Sequence, residues 1–487
     1  MIFSVPKEVR IVTEGLRSSG FEAYLVGGCV RDLLLNRMPK DWDVTTNAKP
    51  EEIQAIFPDS FYTNDFGTVG VTHETTEETL KVIEVTPYRT ESVYSDKRRP
   101  DAVTFGKNLE EDLARRDFTV NAIAYDESKG QVVDPFKGQE DIDLRVLRTV
   151  GVAMDRFEED ALRLMRAVRL IAELGFALDN ETATAISKKA MNLEHVSRER
   201  VRDKLVRILM SKEPMNALVL SQQLGLLTHI VPKLTEGIGI EQNQAHSFDV
   251  FGHLLRALQH AADKDFNFDI RLAALLHDIS KPEVRRWEEK KKDWTFHGHE
   301  VVGARVSKKI MEDLKFSRET IEKVTKLVRW HMFFSDPDQI TLSAVRRMIR
   351  NVGQENIHDL LNRRICDGIG TGRPKEQPFR FRKYKAMVEE ALRDPISVGM
   401  LNTDGNTLME KFHMKPGPHI GWMLNALLEE VLEDPAKNNV EWLHVKTKEF
   451  LALSDAELKN LGELGKQKKD AAEVAELQKI LSKHKVT

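Results

Sequence analysis

The pattern of hydrophobic residues changes character about a third of the way along the chain. Before residue 148, short β-branched and aromatic runs such as YLVGG, GTVGVTH, TLKVIEVTPY and DAVTF end at turn residues. These runs predict the strands of a small mixed sheet with helices among them. Between Leu162 and Leu174, and onward, apolar residues recur at helical spacing. The sequence therefore predicts an α+β fold in which a mixed head precedes an all-helical remainder.

The same pattern divides the chain into four predicted segments. They are a head over 1–148, a helical neck over 149–235, a second helical domain over 240–370 and a helical tail over 371–487. The boundary between the last two is supported by GIGTGRPKEQPFR (368–380), whose glycines and prolines are typical of a linker or a tight corner.

Composition narrows the class of protein without identifying it. The 487 residues are 41% hydrophobic and 31% charged, which is typical of a soluble protein. No apolar run approaches the roughly 18–20 residues that span a bilayer, and the N-terminus lacks the pattern of a signal peptide. Cys29 and Cys366 are too far apart in sequence to suggest a disulfide framework. We therefore expect a cytoplasmic protein without a membrane partner. Since the net charge is −4, a nucleic acid would have to meet local basic patches.

Two glycines follow the first predicted strand. Gly27 and Gly28 come directly after YLV and precede a predicted helix that contains Arg31. Glycines let the main chain approach a phosphate group, the start of a helix offers free N–H groups, and an arginine can pair with phosphate oxygens. Taken alone, the pair is equally typical of an ordinary turn.

Three carboxylates follow at spacings that suit a metal ion. Asp41 and Asp43 are two residues apart, so on a strand they would share a face and could hold Mg²⁺. A solvated turn is the alternative, because PKDWD is also typical of a loop. Two-metal phosphoryl transfer usually needs a third carboxylate, and Glu84 is a lone acid in an apolar strand. We expect Glu84 to be buried beside a cation, either a metal or an arginine.

Two further segments carry polar side chains suited to a nucleotide. In RRDFTVNAIAY, Arg116 could hold a phosphate, while Asp117 and Asn121 could bind ribose hydroxyls; Asp117 could equally cap a helix. In EEDALRLMRAVR, one predicted helix carries acidic and basic residues at spacings of three and four. Its charged members are Glu159, Asp160, Arg163, Arg166 and Arg169.

An acid beside an arginine on that helix can select bases. Cytosine and adenine each present an amino donor next to a ring-nitrogen acceptor, which matches a carboxylate next to a guanidinium. Uracil and guanine present the opposite polarity, and unmatched buried polar groups are costly. Asp160 and Arg163 are therefore predicted to accept C and A, although a plain surface ion pair has the same spacing.

A second cluster lies in the predicted helical domain. AALLHDISKP places a His–Asp pair at the end of an apolar helix, where both side chains could meet an ion. Histidines with carboxylates suit a divalent metal, whose identity the sequence leaves open. The candidate ligands are His253, His277, Asp278, His299, His331 and Asp367. This arrangement resembles the HD phosphohydrolases, in which a metal-activated water attacks a phosphoester.

The front half of the chain resembles the class II tRNA nucleotidyltransferases of the polymerase-β superfamily. The resemblance runs in motif order through LVGGCVRD, DWD, the loop 88–105, RRDFTVNAIAY, EDALR (159–163) and SRERVRDKL (197–205). It implies metal binding by Asp41 and Asp43, and triphosphate contacts from Gly28, Arg31 and Arg116. It further implies nucleotide contacts in the EDALR helix, from Asp160, Arg163, Arg166 and Arg169.

The implied reaction is template-independent addition of CMP and AMP, from CTP and ATP, to the 3′ end of tRNA with two Mg²⁺ ions. FGTVGVTH (66–73) stands where related poly(A) polymerases carry a basic segment, and the loop 88–105 is complete, unlike that of CC-adding relatives. Both favour full CCA addition over CC-adding, A-adding or poly(A) polymerase relatives. A phosphohydrolase with a degenerate head and a non-catalytic RNA-binding protein remain alternatives, and the oligomeric state is open.

Overall fold

The structure, a computed structural model, describes residues 2–63, 67–91, 103–106, 108–244, 246–332, 340–372 and 375–461. The chain forms two compact units, Met1–Pro232 and Lys233–Thr487. Within the described residues, no helix is long and apolar enough to cross a membrane.

The first unit is built on a seven-stranded mixed sheet, as the hydrophobic runs predicted. The strands of this unit are β1 (Tyr24–Val26), β2 (Asp43–Thr46), β3 (Ser60–Tyr62), β4 (Val69–Thr72), β5 (Val82–Pro87), β6 (Arg89–Glu91), β7 (Val103–Phe105), β8 (Ala124–Asp126), β9 (Gln131–Val133), β10 (Val146–Leu147) and β11 (Ala177–Leu178). The sheet has the order β3-β4-β5-β2-β1-β8-β9, while β6 pairs with β7 and β10 with β11. Within the seven-stranded sheet, β2 and β5 form the parallel pair, and the other neighbours are antiparallel.

Helices flank the sheet and continue into the neck. They are α1 (Lys7–Ser18), α2 (Gly28–Leu34), α3 (Pro50–Ile56), α4 (Leu109–Ala114), α5 (Gly138–Leu144), α6 (Ala153–Glu159), α7 (Leu162–Leu174), α8 (Asn180–Lys189), α9 (Arg198–Leu209), α10 (Pro214–Gln223), α11 (Leu227–Ile230) and α12 (Pro232–Thr235). Alternate residues of β5 are buried, with Ile83 and Val85 in the core. Such alternation leaves the other face of the strand available for polar side chains.

The described residues of the second unit form helices and one hairpin. Its elements are α13 (Val250–Asp263), α14 (Phe268–Leu276), α15 (Lys281–Val284), β12 (Arg286–Glu288), β13 (Asp293–Thr295), α16 (His299–Asp313), α17 (Arg318–Arg329), α18 (Leu342–Val352), α19 (Ile357–Gly370), α20 (Phe379–Ala391), α21 (Gly405–Phe412), α22 (Pro418–Glu433) and α23 (Val440–Phe450). Helices α13, α14 and α19 pack against one another, and α17 packs on α14 and α16. Their buried faces bring distant histidines into one core.

Candidate functional site

The parallel pairing of β2 with β5 places two of the predicted carboxylates side by side. Asp43 is the register partner of Glu84, so both side chains lie on the same face of the sheet. Asp41 precedes β2 in a bend and is exposed, so the expectation that both aspartates lie on the strand is wrong for Asp41. The expectation that Glu84 is buried is also wrong, because the alternation of β5 turns it outward.

The three acids influence one another electrostatically. Burial, together with Glu84 and Asp41, raises the pKa of Asp43 to about 6 despite the opposing charge of Arg116. Partial removal from water and the charge of Asp41 also raise the pKa of Glu84, although this residue still reaches solvent. Carboxylates that repel one another are stabilised by a cation between them, and oxygen ligands are those that Mg²⁺ prefers. The donor set therefore fits the divalent ion that the sequence implied.

The glycine turn lets a guanidinium approach the main chain beside these acids. Gly27 has a φ of +79°, and a Cβ built there would lie 3.1 Å from Arg116 Nη1 and 3.5 Å from Asp43 Oδ2. Any larger side chain would therefore crowd the arginine and strain the backbone. Gly28 begins α2 directly after this turn.

Arg116 is held in place by a buried acid that the sequence reasoning missed. Asp112 Oδ2 accepts from Arg116 Nη2 at 3.1 Å, and Oδ1 accepts from Arg115 at 2.7 and 2.9 Å. Thr45 Oγ1 donates to the same carboxylate at 3.2 Å. Burial alone would raise the pKa of Asp112, but Arg116 and Arg115 lower it below the ordinary value. The spacing in DLARR, acid to arginine at three and four, is the signal that could have found it.

A chain of buried polar contacts connects the two predicted nucleotide segments. Arg31 Nη1 donates to Asn121 Oδ1 at 2.8 Å, and Asn121 Nδ2 donates to Asp117 Oδ1 at 3.4 Å. Arg166 Nε then donates to Asp117 Oδ2 at 2.7 Å. Burial would raise the pKa of Asp117, but Arg166 and Arg163 lower it. Asp117 does not cap a helix, since the adjacent 3₁₀ turn, Thr119–Asn121, has Phe118 as its N-cap residue and no side-chain cap.

The predicted single helix through EEDALR is broken, which corrects the sequence expectation. Helix α6 ends at Glu159 and α7 begins at Leu162, while Asp160 between them has extended backbone angles of −140° and 106°. Asp160 Oδ1 accepts from the Leu162 N–H at 2.9 Å. Aspartate favours such local contacts with the main chain over a helix interior. Asp160 therefore lies in the break between the two helices, directly before the helix that carries the arginines.

The arginines of α7 are fixed by several partners. Arg163 Nη1 donates to Glu159 Oε2 at 2.5 Å and to the Arg156 carbonyl at 3.2 Å, and its Nη2 donates to the Arg115 carbonyl at 3.2 Å. Arg169 pairs with Glu173 at 2.9 Å. The Arg163 N–H donates to the Asp160 carbonyl at 3.0 Å, so a main-chain hydrogen bond joins these two residues.

Helices α7 and α9 also share a concentration of positive charge. Burial and the nearby Arg166, Arg207, Arg169 and Arg200 lower the pKa of Lys204 to about 8. A cation whose charged form is disfavoured in this way gains from an anionic partner. This face of the neck therefore suits phosphate groups.

The predicted metal ligands of the second unit do converge. Asp278 Oδ2 lies 3.2 Å from His253 Nε2 and 3.3 Å from His277 Nε2. Its other oxygen, Oδ1, lies 3.2 Å from His299 Nε2 and 3.4 Å from His331 Nε2. Asp278 thus stands between two pairs of histidines, an arrangement suited to a carboxylate that bridges two ions.

The orientation of these rings also fits a metal. The Nδ1 atoms of His277, His299 and His331 lie 2.9, 2.6 and 2.7 Å from main-chain carbonyls, which leaves each Nε2 facing the centre. Metal-ligating histidines are oriented by such contacts. Burial lowers the pKa of His331 well below its ordinary value, which favours the neutral ring that a metal ligand needs.

Further residues complete this centre. Asp367 Oδ1 lies 3.5 Å from His253 Nε2, and its Oδ2 pairs with Arg364 at 2.6 Å. Two participants were missed by the sequence reasoning. His246 joins His253 and Asp278 in one of three donor groups whose ligand atoms lie within 4.8 Å of one another; all three groups found among the described residues belong to this unit. Lys281 Nζ lies 2.6 Å from Asp278 Oδ2, three residues along in HDISK.

Part of one predicted motif lies outside the described residues. Of the loop 88–105, the structure describes 88–91 and 103–105, where β6 and β7 pair antiparallel, and 92–102 lie outside it.

Three protein families match separate parts of the chain. Residues 23–148 match the family described as "Poly A polymerase head domain", and 245–360 match "HD domain". Residues 175–238 match the family described as "Probable RNA and SrmB- binding site of polymerase A". The fold and site define a nucleotidyltransferase with a poly(A) polymerase-type head and an HD domain.

Individual relatives place the chain more narrowly. The CCA-adding enzyme of Geobacillus thermodenitrificans is 50% identical over 436 residues, 88% of this chain and 93% of the relative. That of Lactobacillus delbrueckii subsp. bulgaricus is 33% identical over 446 residues, 91% and 96% of the two chains. The solved structure of the Bacillus stearothermophilus CCA-adding enzyme in complex with CTP is similar with a TM-score of 0.66 at 28% identity, covering 91% of this chain and 99% of that one. The chain belongs to the CCA-adding enzyme family.

Proposed function

We propose that the protein adds CMP and AMP from CTP and ATP to the 3′ end of tRNA and releases pyrophosphate. Membership of the CCA-adding enzymes supports this reaction, since the relatives carry that name and one was solved with CTP. The observation that carries the proposal is the register of β2 and β5, which aligns Asp43 with Glu84 beside the Gly27 turn and Arg116.

The carboxylates would bind metal ions, and the glycine turn would bind the triphosphate. Asp41 and Asp43, with Glu84 as third acid, would hold two Mg²⁺ ions, which lower the pKa of an attacking hydroxyl and neutralise a leaving group. The turn before α2 and two guanidiniums would hold the triphosphate. These residues are Gly27, Gly28, Arg31 and Arg116.

The hydrogen-bonded series from Arg31 to Arg166 suits the ribose of the nucleotide. Asp117 and Asn121 would bind ribose hydroxyls. Their hydrogen bonds with each other and with the flanking arginines hold both side chains in position. Arg166 and Arg169 would contact the nucleotide from α7. The tRNA backbone would lie on the positive face around Lys204 and on the tail 371–487.

Base selection falls to the break between α6 and α7. Arg163 would donate to the ring acceptor of cytosine or adenine, and the Asp160 carboxylate would accept from the amino group. Three fixed acceptors hold Arg163, so its donors are oriented before a nucleotide arrives. Such preorganised polar groups discriminate strongly against a base of reversed polarity.

A primer-extension assay tests this assignment. The protein is incubated with Mg²⁺, CTP, ATP and a tRNA that ends before CCA, beside Asp43→Asn and the matched exposed control Asp59→Asn. We expect extension by three nucleotides with the wild type and with Asp59→Asn, and none with Asp43→Asn. An Asp43→Asn protein that extends normally would remove the catalytic role of this acid.

A second activity is favoured by one observation, the convergence of the six predicted ligands into one cluster with Asp278 among them. We infer that this centre binds a divalent metal and hydrolyses a phosphoester. In this reaction the water oxygen bonds to phosphorus, the ester P–O bond breaks, and the leaving alcohol takes the proton. Hydrolysis should survive Asp43→Asn and be lost in Asp278→Asn. If one substitution removed both activities, the separation into two sites would be wrong.

A further inference from the structure

The hairpin between the HD pair and His299 carries an exposed aromatic surface. Trp287 and Trp294 are directly opposite each other across β12 and β13, with ring centroids 5.2 Å apart and planes at 75°. The Trp287 side chain is 47% exposed. Large exposed aromatic side chains in soluble proteins often mark a place where another molecule binds.

The surroundings of this pair carry charges of both signs. Arg285 lies 3.5 Å from the ring centre of Trp294, and its Nη2 lies 3.5 Å from Glu241 Oε2. Between the two tryptophans, Lys290, Lys291 and Lys292 are equal in number to the acids Glu288, Glu289 and Asp293. Lys291 pairs with Glu288 at 2.9 Å, while Lys290 and Lys292 are exposed and have no ionic partner among the described residues, so they can meet a phosphate. An aromatic surface beside lysines suits a nucleotide, whose base can stack while its phosphate meets a cation.

The hairpin is also connected to the HD centre at both ends. Gln244 N–H donates to Asp293 Oδ2 at 3.2 Å, and nearby Gln242 accepts from Lys281 Nζ at 2.6 Å. Lys281 in turn contacts Asp278 at 2.6 Å and lies 5.2 Å from the ring centre of Phe296, just after β13. A molecule stacked on Trp287 would therefore bind to a hairpin whose flanking residues contact the metal centre.

We propose that the Trp287–Trp294 hairpin is a base-stacking site that holds the nucleotide whose phosphoester enters the HD centre. The proposal rests on the phosphohydrolase activity inferred above and names its substrate class, a mononucleotide. The hairpin supplies affinity and selectivity for the base, and the Asp278 cluster supplies the chemistry.

Uridine 5′-monophosphate and ribose 5-phosphate test the role of the base, since they differ only by its presence. Uridine also avoids the head, which is proposed to select C and A. Affinities are measured by calorimetry with full-length protein in Mn²⁺. Stacking is worth about 1–3 kcal/mol per base, so Trp287→Ala should raise Kd for the nucleotide about 5- to 150-fold. Kd for ribose 5-phosphate should not change.

Two variants serve as controls. Trp287→Phe should restore most of the affinity for the nucleotide, and Tyr62→Ala, on β3, should behave as wild type, because Tyr62 is an aromatic residue of similar exposure, 48%, outside the proposed sites. Equal wild-type affinity for both ligands, or an equal loss of both in Trp287→Ala, would overturn the proposal. Phosphate release is measured in parallel. Binding that depends on Trp287, without any hydrolysis, would support base stacking on the hairpin and refute the phosphohydrolase activity. Equal hydrolysis of both ligands that Trp287→Ala does not affect would support the phosphohydrolase activity and refute base stacking on the hairpin.

Discussion

Asp112 offers a sharp test of how the head positions its arginines. Asp112→Asn keeps the shape of the side chain but replaces one acceptor oxygen with a donor that faces Arg115 or Arg116. The acid is fully buried and accepts four hydrogen bonds at 2.7–3.2 Å. Removing one partner of a buried ion pair costs about 3–5 kcal/mol. Since the two arginines keep 17% and 18% exposure, we expect about 3 kcal/mol, at the lower end.

The stability difference should depend on pH with a defined sign. The pKa of Asp112 is lower in the folded protein than its ordinary value of 3.8. Its contribution is therefore complete above that value and is lost as the pH falls through the lower, folded pKa. The free energy of unfolding is measured in urea for the wild type, Asp112→Asn and the exposed neighbour Glu111→Gln. At low pH the difference between the wild type and Asp112→Asn should shrink. The difference between the wild type and Glu111→Gln should show no such change.

Activity separates positioning from simple stability. At a temperature where both proteins are folded, Asp112→Asn should raise KM for CTP and ATP by similar factors, because Arg116 is proposed to contact the triphosphate and not the base. Unchanged KM values together with the loss of stability would refute the positioning role. A change confined to one nucleotide would refute the assignment of Arg116 to the phosphates.

Four other substitutions test separate parts of the account. Arg163→Ala should lower kcat/KM for CTP and ATP about 5- to 150-fold, as expected for an unmatched buried polar group, and leave UTP incorporation nearly unchanged in single-nucleotide extension assays. Asp117→Asn should bring kcat/KM for CTP and 2′-deoxy-CTP closer together; an unchanged ratio would exclude a ribose contact. Asp278→Asn should lower the metal content measured by elemental analysis and leave CCA addition intact. Because the pKa of Lys204 is about 8, wild-type tRNA affinity should fall between pH 7 and pH 9, and this slope should be shallower in Lys204→Met.

Local patterns in the sequence predicted the elements better than they predicted the site. The strand runs and the helical spacing are confirmed, because they depend on which faces of neighbouring residues are buried. The alignment of Asp43 with Glu84 depends on a parallel pairing between strands far apart in sequence. No local pattern specifies that register. The exposure of Glu84, in contrast, follows from the alternation of buried and exposed residues within β5.

The two arginine-rich segments show the same limit. Spacing predicted one helix through Glu159 and Arg163, but Asp160 bonds the main chain at Leu162 and interrupts it. Asp112 was missed because three charges in DLARR are also typical of a surface helix, and burial, which the sequence does not display, makes the difference.

The HD ligands were predictable as a set for a different reason. Each histidine lies at or near a helix end or on a buried face, so the residue types alone suggested a metal. Their convergence on Asp278 is a result of packing among α13, α14 and α19, and of α17 against α14 and α16. Lys281 became recognisable only from its contact with the same carboxylate.

The central claim is that the protein itself, without a template, selects C and A for the tRNA 3′ end. Sequencing those ends tests it most directly, after incubation of a tRNA lacking CCA with all four nucleoside triphosphates and Mg²⁺. We expect the added sequence to be C, C and A, and to be two C residues when CTP is the only nucleotide. Incorporation of U or G at comparable frequency, or no extension at all, would contradict it.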